Sequence, residues 1–356
     1  MLKARKCLER VREYRSPALD PALDLRLDLN ESTTGCSPRV LAKLRSLDAR
    51  TLALYPPREP AEEMAAEFLG IKSSEILLTN GADEGIDLLC RAYIEPEDEI
   101  IVVIPTFNMY EIFACSAGAT VVRVPAGPDF SFPTGKILAA ITPRTRMVVI
   151  TNPNNPTGAV AAQDDIDKVL QAAPEAAVLV DEAYFEFYGE TMMGRIGKIP
   201  NLFIARTFSK AYGLAGIRLG ILAGPAGQMA VIRRTTSPFN INVFAIECLA
   251  EALADREFVT GYVKQVRGTR KWLRRELEML GFPCWPSHAN FVLARFGELR
   301  PAILAAMTSQ GIALRDRPDC SGCVRISIGT QPEMERVVAV LKQTLAQNRA
   351  AQQVSQ

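Results

Sequence analysis

The stretch Leu202-Phe203-Ile204-Ala205-Arg206-Thr207-Phe208-Ser209-Lys210, followed by Arg218-Leu219-Gly220-Ile221-Leu222, sets two β-rich runs on either side of a short turn. The apolar residues within these runs cluster instead of alternating, the pattern of a strand covered on both faces. The same pattern recurs at Glu75–Thr79, Ile100–Ile104, Thr120–Val124, Met147–Thr151 and Ala177–Asp181. Between the runs lie helical stretches such as Asp83–Ile94, which follows Gly81-Ala82, and Asp164–Ala173, entered from polar residues suited to a helix start. Strands alternating with helices in this way predict an α/β fold built on a mostly parallel seven-stranded sheet.

After Asn240 the pattern changes to long helical stretches reaching about Leu280. A strand at Asn290–Ala294, a helix near Arg300–Gln310, a strand at Val324–Ile328 and a last helix from Pro332 follow, which together read as a smaller α+β domain. With 356 residues, two domains are the expectation. A large one over 30–245 and a small one from 1–29 with 246–350 would leave a cleft between them.

Lys plus Arg number 41 against 40 for Asp plus Glu, so the chain has no long-range field for a polyanion, and nucleic-acid binding is excluded as its main task. Met1 to Arg15 is locally basic but broken by Glu9 and Glu13 and followed by no apolar segment, so it reads as a surface arm. No apolar run approaches a membrane span, and the cytoplasm is the expected compartment. The tail Gln347–Gln356 is polar and reads as frayed. Eight scattered cysteines fit reduced thiols better than a disulfide framework. Cys320 and Cys323 form a CxxC pair, but one histidine (His288) and no second CxxC leave no zinc ligand set, and no metal is expected.

Four segments place chemistry at the carboxyl ends of these strands, where open α/β sheets bind ligands. Lys210 follows one strand, with Thr207 and Ser209 beside it and the fixed charge of Arg218 close behind. In Thr151-Asn152-Pro153-Asn154-Asn155-Pro156-Thr157-Gly158 the prolines and glycine turn the backbone out of the sheet and aim Asn155 above it. Asp181-Glu182-Ala183-Tyr184 ends a buried strand on a carboxylate, which is costly unless a cation such as a protonated pyridine meets it. Asn80-Gly81-Ala82-Asp83-Glu84 offers small residues and backbone N–H groups at a helix start, the outline of a phosphate cradle.

With these residues in place the chain resembles the fold-type-I pyridoxal-phosphate enzymes of the class I/II aminotransferase group, and more narrowly the histidinol-phosphate aminotransferase family. The likeness runs from about Tyr14 to Leu345. It is carried also by Leu29-Asn30-Glu31, Leu54-Tyr55-Pro56, Pro105-Thr106-Phe107-Asn108-Met109-Tyr110, Gly216-Ile217-Arg218, Ala289-Asn290-Phe291-Val292-Leu293, Leu314-Arg315-Asp316 and Ser321-Gly322-Cys323-Val324-Arg325-Ile326. It implies pyridoxal 5′-phosphate held by Lys210 as a Schiff base, Asp181 on its pyridine nitrogen, Asn155 and Tyr184 on its ring hydroxyl and Phe107 stacked on its face. Ala82, Asp83, Thr207, Ser209 and Arg218 would hold the phosphate, with Tyr55 reaching in from the second subunit of a homodimer. Arg325, helped by Arg315, Tyr14 and Asn30, would bind substrate carboxylate or phosphate, the substrates being an amino-group donor and a keto-acid acceptor. This chain reads Asn30-Glu31-Ser32-Thr33 where family members often read Asn-Glu-Asn-Pro, and its Tyr14 segment matches only loosely. Both departures fall where the donor's side chain would sit.

Two readings of Arg315 stay open, a substrate contact or an ion pair with Asp316 or Asp319. Arg325 interrupts the apolar run Cys323–Ile328 and is the stronger candidate. The main expectation is amino transfer between histidinol phosphate and 2-oxoglutarate. The alternatives on the same fold are a threonine-phosphate decarboxylase and an aromatic amino-acid aminotransferase. A nicotinamide dehydrogenase lacks its GxGxxG turn and a serine hydrolase its GxSxG elbow.

Overall fold

The computed structural model describes residues 2–11, 13–14 and 22–354. Its strands are β1 (Leu25–Leu27), β2 (Ile76–Asn80), β3 (Glu99–Ile104), β4 (Thr120–Pro125), β5 (Thr145–Thr151), β6 (Ala177–Asp181), β7 (Leu202–Thr207), β8 (Leu219–Ala223), β9 (Phe291–Arg295), β10 (Ile312–Arg317) and β11 (Cys323–Ser327). The seven-stranded sheet, in the order β2-β8-β7-β6-β5-β3-β4, matches the expected strands to within one or two residues. Only β8 runs against its neighbours. The reason lies in the connection: β5 reaches β6 through the helix Gln163–Ala172 and can pair parallel, whereas the short turn after β7 permits only an antiparallel return.

Both faces of the inner strands β6, β7 and β8 are dry. Along β6, Val178 and Val180 enter the core on one face with Ile166 and Val169. Ala177 and Leu179 enter the opposite core with Ile86, Leu89 and Tyr110. Strand alternation therefore puts Asp181, the next residue in that second row, on the face of Tyr110. The smaller sheet has the order β1-β10-β11-β9, with β1 parallel to β10 and the other pairs antiparallel. Leu273 and Leu277 of the helix Arg256–Met279 and Val337 and Leu341 of the helix Gln331–Val354 share one core with Phe291 and Ile326 of this sheet.

The structure departs from the sequence reading in two places. Strands β1 and β10 were not expected: β1 is three residues long, and β10 ends in Arg315-Asp316-Arg317, which hides its apolar start. The helix Val243–Ala254 buries Ala245, Cys248 and Leu249 in one core with Leu78 and Ile221 of the large sheet. The tail is not frayed from Gln347, because the last helix continues to Val354. The basic arm lies on the surface, with Arg5 and Cys7 donating to the carbonyls of Ala117 and Ser116. Its Met1, Arg12 and Arg15, and Ser355 and Gln356 of the tail, lie outside the described residues. No helix among the described residues is long and apolar enough to cross a membrane.

Candidate active site

Asp181 closes β6, and its side chain is buried at 4% exposure. Its Oδ2 accepts the Tyr110 hydroxyl at 2.5 Å and its Oδ1 the Ala183 N–H at 2.9 Å. No cation among the described residues forms an ion pair with it. Burial pushes its carboxyl up to about 6, against the opposing pull of the two hydrogen bonds. Tyr110 in turn accepts from Thr151 Oγ1 at 3.0 Å, and burial together with the Asp181 charge drives its own hydroxyl well above the ordinary range.

Lys210 leaves the end of β7 and extends its ammonium to the Leu29 carbonyl at 2.9 Å. Burial, with the nearby Arg325 charge, pushes the amine down to about 8, while Glu31 and Asp83 oppose the shift. A lysine in this state supplies free amine near neutral pH, as a nucleophile toward a carbonyl requires.

The helix Gly81–Tyr93 begins directly at the end of β2, so its first N–H groups and the positive end of its dipole face the sheet edge. Gly81 has φ +76°, and a Cβ there would meet Arg218 Nη2 at 2.4 Å. A Cβ on Gly220 would strike the Gly81 carbonyl carbon at 2.4 Å and the Ala82 nitrogen at 2.5 Å. Only glycine leaves this cradle open. Arg218 bonds Asp83 at 3.2 Å, and Thr207 Oγ1 donates to Ser209 Oγ at 2.9 Å while accepting the Ser209 N–H.

The small sheet supplies the other wall. Arg315 of β10 lies directly opposite Arg325 of β11, and like charges in that register destabilise a sheet unless an anion is intended between them. Arg325 is 5% exposed, donates to Asn155 Oδ1 at 2.6 Å and to the Asp28 carbonyl, and keeps a buried Nε without a partner. Burial pushes it down to about 10. Arg315 does not form the ion pairs weighed from the sequence, since Asp316 pairs with Arg300 and Asp319 with Arg317. Instead it donates to the Tyr14 hydroxyl at 3.4 Å, and Tyr14 packs edge-on to Phe107.

These groups enclose one cavity of about 620 Å³, and every residue singled out from the sequence except Tyr55 lines it. Tyr55 is 76% exposed and stacks on Phe239 at 4.1 Å, outside the chain's own cavity. Asn30 lines the cavity with its side chain already committed, donating to Tyr184 Oη at 2.9 Å and accepting from Ser327 Oγ at 2.9 Å. Sequence reasoning assigned no site role to Tyr110, Thr151, Leu29 or Arg317. For Arg317 a signal existed, since it stands two residues from Arg315 and shares its strand face. It went unread because β10 was not recognised.

The residues fit pyridoxal phosphate. A buried carboxylate without a cation matches a protonated ring nitrogen, an amine of depressed basicity matches an aldehyde, and a glycine-lined helix start with Arg218 matches a phosphate dianion. Asn155 is left with its amide N–H₂ to donate, because Arg325 occupies its oxygen.

Residues 24–341 match the aminotransferase class I and II family. Histidinol-phosphate aminotransferase of Dehalococcoides mccartyi is 34% identical over 324 residues, 89% of each chain. That of Roseobacter denitrificans is 36% identical over 329 residues, 89% of this chain and 90% of the relative. The crystal structure of histidinol-phosphate aminotransferase from Sinorhizobium meliloti in complex with pyridoxal 5′-phosphate superposes with a TM-score of 0.84 at 25% identity, covering 91% of this chain and 92% of that one. The site's geometry and these likenesses agree: the chain belongs to the aminotransferase class I and II family, on the fold of the pyridoxal-phosphate aminotransferases.

Proposed function

We propose that this protein transfers the amino group of histidinol phosphate to 2-oxoglutarate, giving imidazole acetol phosphate and glutamate, with pyridoxal 5′-phosphate linked to Lys210. The observation that carries the reading is one cavity holding Lys210 and Asp181 on the large-sheet wall and Arg315, Arg317 and Arg325 on the small-sheet wall. Both the donor, which ends in a phosphate, and the acceptor, a dicarboxylate, need such a wall. Guanidinium forks receive carboxylate and phosphate alike.

When bound, the cofactor supplies an electron sink for the charge left on the substrate's α-carbon. Asp181 would keep the ring nitrogen protonated, held in place by the Tyr110 hydroxyl and the Ala183 N–H. Tyr184 and Asn155 would donate to the ring oxygen, Phe107 would cover a ring face, and the cradle of Ala82, Asp83, Thr207, Ser209 and Arg218 would hold the phosphate. Lys210 Nζ, its basicity lowered by burial, would serve as the base that carries the proton at the substrate's α-carbon. Arg325 fixes a substrate anion, and Arg315 with Tyr14 receives the other end of the donor.

We infer a homodimer in which the partner copy's equivalent of Tyr55 completes the site. Tyr55, Leu54 and Phe239 are exposed, the condition of an apolar surface awaiting a partner. The cytoplasm fits eight free cysteines.

Glutamate formation from histidinol phosphate and 2-oxoglutarate tests the reading. Carbon dioxide release from threonine phosphate, or faster glutamate formation from phenylalanine or tyrosine, would replace it with one of the alternatives.

A further inference from the structure

Three hydrogen bonds to Ser327 and Asn290 converge on Asn30, which follows β1 of the small sheet. Asn30 sits at φ +57°, a left-handed conformation that asparagine tolerates better than most residues. Its backbone N–H donates to Ser327 Oγ at 3.0 Å, and Asn290 Nδ2 donates to its carbonyl at 3.1 Å. The Ser327 oxygen accepts that N–H and donates its one proton to Asn30 Oδ1, at 2.9 Å. The amide orientation follows: the oxygen faces Ser327, and Nδ2 faces Tyr184 Oη at 2.9 Å. Tyr184 accepts there, so its own proton is left for another acceptor, and Tyr184 lines the cavity.

We propose that Ser327, which is fully buried on β11 and does not line the cavity, is a positioning residue that fixes the Asn30 amide and thereby directs the Tyr184 proton into the cofactor site. The chain Ser327–Asn30–Tyr184 links the sheet that carries Arg325 to the large-sheet wall of the cavity. Without the Ser327 hydroxyl, Asn30 Oδ1 loses its donor and the amide can turn over. Its oxygen then takes the Tyr184 proton, and the ring oxygen of the cofactor loses one of its two donors. This rests on the assignment of Tyr184 and Lys210 to pyridoxal phosphate made above.

The test is the pH titration of the visible absorption band of the Lys210-linked cofactor in purified holoenzyme. A ring oxygen with fewer donors keeps more negative charge and holds the neighbouring nitrogen's proton more tightly, so the midpoint rises. Ser327→Ala is expected to raise it by about half a pH unit, Tyr184→Phe by more, and Ser327→Ala in the Tyr184→Phe background by nothing further. Ser327→Thr, which keeps the hydroxyl, returns the midpoint to that of the parent. The titratable and charged groups that act on Lys210 and Tyr184, namely Arg325, Glu31, Asp83, Arg218, Asp181 and Tyr14, are the same in all these proteins.

An unmoved midpoint in Ser327→Ala alongside a shifted one in Tyr184→Phe overturns the proposal, as does a Ser327→Ala shift that persists in the Tyr184→Phe background. Should Ser327→Ala not fold, Ser327→Cys, whose thiol is a weak donor, is titrated in its place with the same outcomes. A parent protein with no visible band, or a Tyr184→Phe midpoint that does not move, instead defeats the cofactor assignment beneath the proposal.

Discussion

At neutral pH the Asp181 carboxylate of the cofactor-free protein is buried on two donors with no cation among the described residues paired to it, and its acidity is weakened accordingly. The folded protein binds this proton more tightly than the unfolded chain. The contribution to stability is thus fully present below about pH 4 and lost as pH rises through about 6, roughly 3 kcal/mol at full extent. Denaturant unfolding of apoprotein from pH 4 to 8 should show Asp181→Asn lacking this fall, and equal pH slopes in both proteins would contradict it. The variant is also expected to lose turnover, since a neutral amide cannot hold the ring nitrogen protonated. Arg325 offers a second measurement. Its fork reaches Asn155 and the Asp28 carbonyl at once, and a lysine keeps the charge without that geometry. In Arg325→Lys, kcat/KM is expected to fall about 100-fold, mainly through KM, for glutamate and for the phosphate substrate. A change under threefold would remove Arg325 from substrate binding.

Between strands and helices, the decisive contact is the approach of β8 to the first turn of the helix Gly81–Tyr93. Gly220 and Gly81 let the two backbones touch, and their approach leaves no room for a methyl group on Gly220. Gly220→Ala must push the helix start away from the sheet, displacing the N–H groups and Arg218 from the phosphate site. The variant is expected to fold but to bind pyridoxal phosphate at least about tenfold more weakly, measured by equilibrium dialysis of the apoprotein. Unchanged affinity would show that the cradle is built elsewhere. The pairing of β10 with β11 has a comparable role on the far wall, since their register alone sets Arg315 across from Arg325.

For the whole molecule, Tyr55 lies outside its own chain's cavity, and the proposed homodimer predicts that it completes the site of a second copy. Lys210→Ala and Tyr55→Ala homodimers are each expected to be strongly impaired. Mixed under conditions that exchange subunits, they form heterodimers in which one site regains both native residues, restoring up to about one quarter of the parent activity at equal ratio. No recovery despite demonstrated exchange would place Tyr55 outside catalysis.

Seven strands and the chemical residues at their ends were legible in the amino-acid sequence because each is a local property. Runs such as Ala177–Val180 can only be buried on both faces, and Asp181 or Lys210 at the exit of such a run takes its place from the strand itself. What the sequence left open were relations between distant segments. That Tyr110 holds Asp181, that Arg315 faces Arg325 without an acidic partner, and that Leu25–Leu27 adds an edge to a sheet made by the other end of the chain were decided by tertiary packing. The Asn30 side chain illustrates the difference. Its family motif pointed to the substrate, yet a serine 297 residues away determines which of its two polar atoms faces the tyrosine, because hydrogen-bond direction is fixed by the donors and acceptors that folding brings together.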